Sequence, residues 1–165
     1  MSSAHKNLSE YDSSEISSCE NMRFGIVVST WNHKITESLY EAAIHTLLKF
    51  GAKKENLIRK NVPGSYELCL GAQFFAEYDE VDAVICLGCV IQGETRHFDF
   101  ICSAVAQGLM DLNLKYNKPF IFGLLTPGNM QQALDRAGGI HGNKGDEAAI
   151  SAIQMLNLQS SFSKR

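Results

Sequence analysis

Short, mostly apolar runs alternate along this chain with longer stretches in which apolar residues recur every three or four positions. The runs are typical of buried β-strands, and the recurring positions are typical of amphipathic helices. The pattern predicts strands over residues 24–29, 56–62, 81–91 and 119–125. It predicts helices over residues 35–50, 66–77, 97–112, 129–137 and 145–156. Strands and helices therefore alternate from one end of the chain to the other.

This alternation predicts an α/β fold, in which a parallel sheet of four strands carries helices on both faces in a three-layer αβα sandwich. Ligands bind to such sheets outside the carboxyl ends of the strands. Four turns should meet at that edge, and they cover residues 30–33, 62–67, 91–97 and 125–128.

The two ends of the chain differ from its centre. Residues 1–21 are rich in serine and contain few apolar side chains, which predicts a disordered extension. A single folded domain then spans residues 22–157, followed by a flexible tail over residues 158–165. A domain of this size buries enough surface to fold without a disulfide or a metal.

Composition narrows the partners that the protein can have. A formal net charge of −3 argues against broad binding to nucleic acid or to anionic membranes, which requires clustered basic residues. The partner is predicted to be a small molecule. The sequence has neither an apolar run of about 18 to 20 residues nor the apolar core of a secretory signal, which predicts a cytoplasmic protein.

The five cysteines form an odd number with irregular spacing, which predicts reduced thiols. Cys86 and Cys89 form a C-x-x-C pair, but they lie in a predicted strand, where residues three apart point to opposite faces. Packing in the core is therefore predicted for both.

One turn places a histidine beside a candidate anion site. Gly93, Glu94 and Thr95 connect a predicted strand to a predicted helix, and His97 opens that helix. Free N–H groups and the positive end of the dipole at a helix start suit a phosphate. The same field disfavours positive charge on the imidazole, so His97 could act as a base. The alternative is a histidine that caps or packs the helix.

Three further side chains have two interpretations each, and a fourth has one. Trp31 follows a strand and could stack on a heterocycle or belong to the core. Glu67 could hold ligand hydroxyls or cap a helix, and Arg136 could bind phosphate or stabilise a helix end. Lys144 is predicted to be a solvated charge. The common phosphate-loop motifs of dinucleotide- and triphosphate-binding proteins do not occur in the sequence.

Over residues 23–156 the turns resemble those of lumazine synthases, which catalyse the penultimate step of riboflavin biosynthesis. The motifs that carry the resemblance are Trp31-Asn32, Val62-Pro63-Gly64-Ser65-Tyr66-Glu67, Gly88-Cys89-Val90-Ile91-Gln92-Gly93-Glu94-Thr95-Arg96-His97-Phe98-Asp99, Arg136-Ala137-Gly138 and Gly142-Asn143-Lys144-Gly145. Four such motifs in the same order are unlikely to arise by chance.

The resemblance implies a flavodoxin-like sheet and the condensation of 5-amino-6-(ribitylamino)uracil with 3,4-dihydroxy-2-butanone 4-phosphate, without a metal or an organic cofactor. The products would be 6,7-dimethyl-8-ribityllumazine, phosphate and water. It implies that His97 transfers protons. The implied substrate-binding residues are Trp31, Asn32, Ser65, Tyr66, Glu67, Cys89, Val90, Ile91 and Phe122. The implied phosphate-binding residues are Gly93, Glu94, Thr95 and Arg136, with Lys144 as a further candidate.

The resemblance also implies a homopentamer with active sites shared between neighbours, which would bring Phe122 or Arg136 across an interface from Trp31. Sixty-subunit shells and a riboflavin synthase partner are further implications. Gln92, Tyr66 and residues 125–129 depart from the usual family pattern, which puts ligand affinity in question.

Two other functions remain in competition at this point. One is an archaeal-type riboflavin synthase of similar fold, and the other is a catalytically silent flavin-binding or shell-forming protein. The second would need neither His97 nor Arg136, so the presence of both favours catalysis.

Overall fold

The computed structural model describes residue 7 and residues 9–162. The strands are β1 (Phe24–Ser29), β2 (Leu57–Val62), β3 (Ala83–Cys89), β4 (Phe120–Leu125), β5 (Ala137–Gly139) and β6 (Gly142–Asn143). The helices are α1 (His33–Lys49), α2 (Leu68–Tyr78), α3 (His97–Tyr116), α4 (Met130–Asp135) and α5 (Lys144–Phe162). All four predicted strands and all five predicted helices are present, with small shifts at their ends.

The main sheet has four parallel strands in the order β2-β1-β3-β4, which confirms the predicted α/β class. The chain runs from β1 outward to β2 and then crosses back over β1 to β3. The connection that follows β1 and the one that follows β3 therefore leave in opposite directions. This reversal opens a crevice between the carboxyl ends of β1 and β3, where ligands bind in sheets of this kind.

Two apolar cores cover the two faces of the sheet. Ile26 and Val28 point into the core built with α1 and α5, whereas Val27 points into the core built with α2 and α3. Cys89 belongs to the first core and Cys86 to the second, as the alternation of a strand predicts. Both thiols are free, and burial raises the pKa of Cys89 to about 12. The C-x-x-C pair is therefore part of the core packing.

The start of α5 lies against α1 at very short range. A Cβ atom added to Gly145 would lie 2.0 Å from the backbone carbonyl oxygen of Leu39. The Gly145 N–H donates to Asn143 Oδ1 at 2.8 Å, which fixes the first turn of α5 in this position. Only a glycine allows the two helix backbones to approach so closely.

The N-terminal segment corrects one prediction. Residues 9–21 pack on the domain, with Ile16 and Cys19 buried and with the Cys19 N–H donating to Phe50 O at 2.9 Å. The serine-rich composition predicted disorder because the few apolar residues are widely spaced, yet those residues are the ones that enter the core. Residues 1–6 and 8, which share that prediction, lie outside the described residues.

The C-terminal end differs from its prediction as well. Helix α5 continues to Phe162, so residues 158–162 are helical and do not form a separate tail. Leu158 and Phe162 are exposed, which explains why the apolar pattern alone ended the helix near Leu156. Residues 163–165 lie outside the described residues. None of the helices in residues 9–162 is both long and apolar enough to cross a membrane.

A two-stranded hairpin was also missed by the sequence pattern. Strands β5 and β6 pair in antiparallel fashion where a plain connection was predicted over residues 138–143. Gly138 and Gly142 have φ values of 104° and 76° in this hairpin, a region of backbone conformation that favours glycine. Strands of three and two residues are too short to produce an apolar alternation.

An ion pair on the α1 side of β2 leads to a pH-dependent prediction. The Arg59 guanidinium donates two hydrogen bonds to the Glu37 carboxylate and lies 4.3 Å from the ring centre of Tyr40. The hydrogen bonds from Arg59 lower the pKa of Glu37. A lowered pKa in the folded state stabilises the protein above the unfolded pKa, and this contribution disappears as the pH falls through the folded value.

We therefore expect Glu37→Gln to lower the free energy of unfolding by about 1 kcal/mol at pH 7, since the pair is bidentate and partly exposed. The difference from wild type should shrink below a pH of about 4. Urea unfolding of both proteins at pH 7 and at a pH below about 4 measures this difference. An equal difference at both pH values would contradict the assigned ion pair.

Candidate active site

A cleft of about 470 Å³ opens at the carboxyl ends of β1 and β3, where the strand order predicts a ligand site. The cleft is lined by Trp31, Asn32, Gly64, Ser65, Tyr66, Glu67, Cys89, Val90, Ile91, His97 and Ile101. Nine of these eleven are candidate site residues from the sequence, and three separate turns contribute them. The fold thus brings together most of the predicted substrate-binding residues and the predicted proton-transfer residue.

Trp31 is held between two anchored neighbours. Thr30 donates from its N–H to Val62 O at 2.9 Å and from its hydroxyl to Pro63 O at 3.0 Å. Asn32 donates from Nδ2 to Cys89 O at 2.9 Å and has a left-handed backbone with φ of 57°, which asparagine tolerates better than most residues. The backbone at position 31 is thereby tied to both neighbouring turns, while its indole remains 72% exposed.

The turn before α2 supplies a hydroxyl and a carboxylate. The Ser65 side chain is buried, and its Oγ has no hydrogen-bond partner within the described part of the chain. A Cβ atom at Gly88 would lie 2.8 Å from that oxygen, so the glycine leaves room for the hydroxyl. Glu67 accepts a hydrogen bond from the Gly64 N–H through Oε2 at 3.0 Å. Glu67 thus closes its own turn and also lines the cleft, and its side chain makes no cap hydrogen bond to α2.

Along the end of β3 and the residues after it, the backbone N–H and C=O groups face β4 and the β1 side in turn. The Val90 N–H donates to Leu125 O at 2.9 Å and the Gln92 N–H donates to Pro127 O at 3.0 Å, so both residues face β4. Successive residues of a parallel strand face opposite neighbours. The peptide groups of Cys89 and Ile91 therefore face the β1 side, where β1 has already ended. Ile91 lines the cleft, and its N–H has no hydrogen-bond partner among residues 9–162.

The turn that precedes α3 is open to solvent. His97 is exposed at the first position of α3, and its N–H donates to Thr95 Oγ1 at 3.4 Å. Nothing lies within 4 Å of a Cβ atom built on Gly93. The neighbouring Arg96 side chain turns toward Asp99 at 3.8 Å. The predicted anion turn and the imidazole are thus adjacent, with open space in front of the turn.

Six predicted residues do not line the cleft. Gly93, Glu94 and Thr95 form the turn just before His97, whereas the other three lie elsewhere on the chain. Phe122 is 37% exposed on β4 and Arg136 lies at the end of α4, where its Nη1 donates to Gln132 O at 3.2 Å. Lys144 is largely buried and pairs with Glu147 Oε1 at 2.6 Å, so the prediction of a solvated charge was wrong. The fourth predicted turn, residues 125–128, contacts the end of β3 and contributes no lining residue.

Three residues with a role in this cleft were absent from the candidate set. Gly64 and Ile101 line it, and Thr30 fixes the turn that carries Trp31. The sequence carried a signal for Ile101, because it follows His97 by four positions on a helix and must share its face. No pattern in the sequence singled out Thr30, whose contacts depend on which strands are neighbours.

Comparison with known proteins gives a consistent result. The sequence profile of the 6,7-dimethyl-8-ribityllumazine synthase family matches residues 21–160. A 6,7-dimethyl-8-ribityllumazine synthase of Cytophaga hutchinsonii is 65% identical over 156 residues, covering 94% of this chain and 98% of the relative. The corresponding proteins of Parabacteroides distasonis and Flavobacterium johnsoniae are 57% and 54% identical, and each alignment covers 96% of this chain. The profile spans most of the chain and the relatives carry the same name, so the chain belongs to the 6,7-dimethyl-8-ribityllumazine synthase family.

Proposed function

We propose that this chain condenses 5-amino-6-(ribitylamino)uracil with 3,4-dihydroxy-2-butanone 4-phosphate to give 6,7-dimethyl-8-ribityllumazine, phosphate and two molecules of water, a step of riboflavin biosynthesis. One observation carries the proposal. A single cleft at the switch point of the sheet gathers an exposed indole, a hydroxyl and a carboxylate, and an imidazole from three different turns. Relatives that are 65% and 57% identical are named 6,7-dimethyl-8-ribityllumazine synthase, which supports the same reaction.

The pyrimidinedione is proposed to stack on the Trp31 ring, which is flat, exposed and fixed at its backbone. The Ile91 N–H would donate to an oxygen or nitrogen at the edge of the ring. The Ser65 hydroxyl and the second carboxylate oxygen of Glu67 would bind ribityl hydroxyls. Tyr66, Asn32, Cys89 and Val90 complete the wall of the pocket.

The phosphate substrate is proposed to lie in front of residues 93–95, where free N–H groups at the start of a twenty-residue helix favour an anion. The 5-amino nitrogen of the pyrimidinedione attacks the C2 ketone carbon of the phosphate substrate, and loss of water forms an imine. His97 takes the proton from C3 while phosphate leaves C4 with the electrons of the C–O bond. The resulting enol takes a proton at C4 and becomes a ketone at C3. A second amine–carbonyl condensation closes the ring and releases the second water. His97 would take and return these protons, because it borders both the cleft and the anion turn.

Phe122 and Arg136 are proposed to reach the cleft from a neighbouring copy in a homopentamer, where Arg136 would bind the phosphate substrate. This proposal is supported by their position outside the cleft of their own chain, together with the exposure of Phe122. Lys144 is proposed to orient Glu147 and the start of α5 rather than to meet solvent. Assembly into a sixty-subunit shell, contact with riboflavin synthase and a cytoplasmic location remain proposals that follow from the family.

The decisive experiment mixes the purified protein with the two substrates and follows lumazine absorbance together with phosphate release. We expect both signals to rise in parallel and faster than in the uncatalysed mixture. No acceleration in a correctly assembled sample would refute the enzymatic function. Light scattering on the same sample measures the subunit number, and a monomer that is fully active would refute the shared site.

Ser65 offers a binding prediction with a matched control. Both Ser65 and Ser29 bury a hydroxyl that has no partner within the described residues, but only Ser65 lines the cleft. We expect Ser65→Ala to raise the KM for the pyrimidinedione by about three- to ten-fold, the effect of losing one hydrogen bond. Ser29→Ala should leave that KM unchanged. Steady-state kinetics with the phosphate substrate saturating measures both, and equal effects would contradict the assignment.

A further inference from the structure

The hairpin of β5 and β6 begins directly after Arg136, and a backbone hydrogen bond joins its two ends. The Lys144 N–H donates to the carbonyl oxygen of Arg136 at 2.9 Å, so the end of the hairpin returns to the residue where it began. The His141 N–H donates to Asp135 O, also at 2.9 Å. The position of the Arg136 backbone is therefore set by the hairpin. Whatever holds the hairpin also holds the base of the Arg136 side chain.

One support of the hairpin comes from α1. Ser38 Oγ donates to Ala137 O at 2.6 Å, and Asn143 Nδ2 donates to Ser38 O at 3.2 Å. These bonds fasten both strands of the hairpin to the same turn of α1. These bonds do not involve the Asn143 N–H. Asn143 is only 7% exposed, so this N–H needs an acceptor within the protein.

That acceptor is Ser9, a residue of the N-terminal segment. Ser9 Oγ accepts from the Asn143 N–H at 2.9 Å and donates to Asp146 Oδ2 at 2.6 Å. The other oxygen of Asp146, Oδ1, accepts from Thr46 Oγ1 at 2.7 Å. A single hydroxyl thus joins the hairpin to α5, and through Asp146 to α1. Asp146 and Ser9 are separated by 137 positions in the sequence.

The N-terminal strap, defined here as residues 9–19, is anchored at its far end. Ile16 and Cys19 are buried, and the Tyr11 ring lies 5.7 Å from the Phe50 ring. At its near end the strap passes very close to the hairpin. A Cβ atom at Gly142 would lie 2.7 Å from the Ser9 nitrogen, so a glycine is required there. Both ends of the strap are therefore seated on the domain.

We propose that Ser9 is a positioning residue for the phosphate substrate, acting through the Asn143 N–H and the hairpin on Arg136. The inference rests on the proposed function, in which Arg136 binds the phosphate. Ser9 contacts no substrate. Its hydroxyl fixes the hairpin so that the guanidinium is presented in one orientation, which lowers the cost of ordering it on binding.

The test compares three variants with wild type in the full-length assembled protein. Ser9→Ala removes the hydroxyl, Ser9→Thr keeps it, and Ser17→Ala removes an exposed serine of the same strap. We expect Ser9→Ala to raise the KM for the phosphate substrate, and the inhibition constant of inorganic phosphate, by about ten-fold. The KM for the pyrimidinedione should stay within about two-fold. Ser9→Thr and Ser17→Ala should resemble wild type in every constant.

A second comparison separates positioning from general stability. In an Arg136→Ala background, Ser9→Ala should add no further rise in the KM for the phosphate substrate, because its effect passes through the missing guanidinium. Amide exchange at Asn143 should accelerate in Ser9→Ala and stay slow in Ser9→Thr. These exchange rates report on the strap whether or not the protein is an enzyme.

The results that overturn the inference are distinct from those that overturn the function. An inactive wild type refutes the function, and unchanged exchange at Asn143 in Ser9→Ala then refutes the strap independently. With an active wild type, the inference falls if Ser9→Ala leaves the phosphate KM unchanged. It also falls if both KM values rise together, or if the effect persists in the Arg136→Ala background.

Discussion

Replacing His97 with alanine is expected to lower kcat by about 10²- to 10⁴-fold without abolishing turnover. The imidazole borders both the cleft and the anion turn, so it is the group in residues 9–162 best placed to move protons between the two substrates. The remaining activity should come from holding the amine and the ketone together, since positioning alone can supply about 7 to 11 kcal/mol in favourable cases. Single-turnover absorbance measurements give the rate of the chemical step.

The control for this variant is His45→Ala, because His45 is an exposed histidine on α1 that does not line the cleft. It should retain the wild-type rate. Two results would contradict this division of labour, namely complete loss of turnover in an assembled variant and a decrease smaller than about ten-fold.

Replacing Gly145 with alanine should produce the largest loss of stability. The new methyl group would lie 2.0 Å from the backbone carbonyl oxygen of Leu39, and a backbone cannot rotate away as a side chain can. Helices α1 and α5 would have to separate, which would open the core that they share with the sheet. We expect a decrease in unfolding free energy of about 3 kcal/mol or more, at the upper end of the range for overpacked sites.

Chemical unfolding measured at a fixed protein concentration quantifies this loss, since association contributes to apparent stability. Gly93→Ala is the matched control, because a Cβ atom there has no neighbour within 4 Å. Its unfolding free energy should remain within about 0.5 kcal/mol of wild type. Equal stability of the Gly145→Ala and Gly93→Ala variants would mean that α1 and α5 pack differently from the arrangement described.

The sequence predicted the fold well because the two central strands, β1 and β3, are buried on both faces. Residues 24–28 form a run without a polar side chain, and its position in the chain follows directly from the pattern. The hairpin of β5 and β6 has no such apolar run. It is held instead by hydrogen bonds to Ser38 and Ser9. Those bonds link positions far apart in sequence, and local patterning carries no information about them.

The site was predictable for a similar reason. Parallel strands bring their carboxyl ends together, so turns that follow strands converge without any knowledge of strand order. Strand order still decided which turns met, because β4 lies one strand beyond the crevice and residues 125–128 do not line it. Lys144 was misjudged because its partner, Glu147, is one helical turn away and the flanking glycines suggested a solvated loop.

The prediction of disorder for residues 9–21 was wrong because composition does not show where individual side chains pack. Average hydrophobicity is low there, but burial depends on where the few apolar side chains meet the rest of the domain. Ile16 and Cys19 fall opposite the end of α1, and Ser9 falls opposite the buried Asn143 N–H. Three well-placed contacts order a segment whose composition is typical of a flexible one.

The anchored indole at position 31 also makes the protein its own optical sensor. Trp31 is the single tryptophan of the chain, and its ring is 72% exposed at the mouth of the cleft. An aromatic ligand that stacks on the Trp31 ring replaces water there. The tryptophan fluorescence of the protein should therefore change when the site is occupied. Binding of each substrate could then be titrated separately, before any chemistry occurs and without a label.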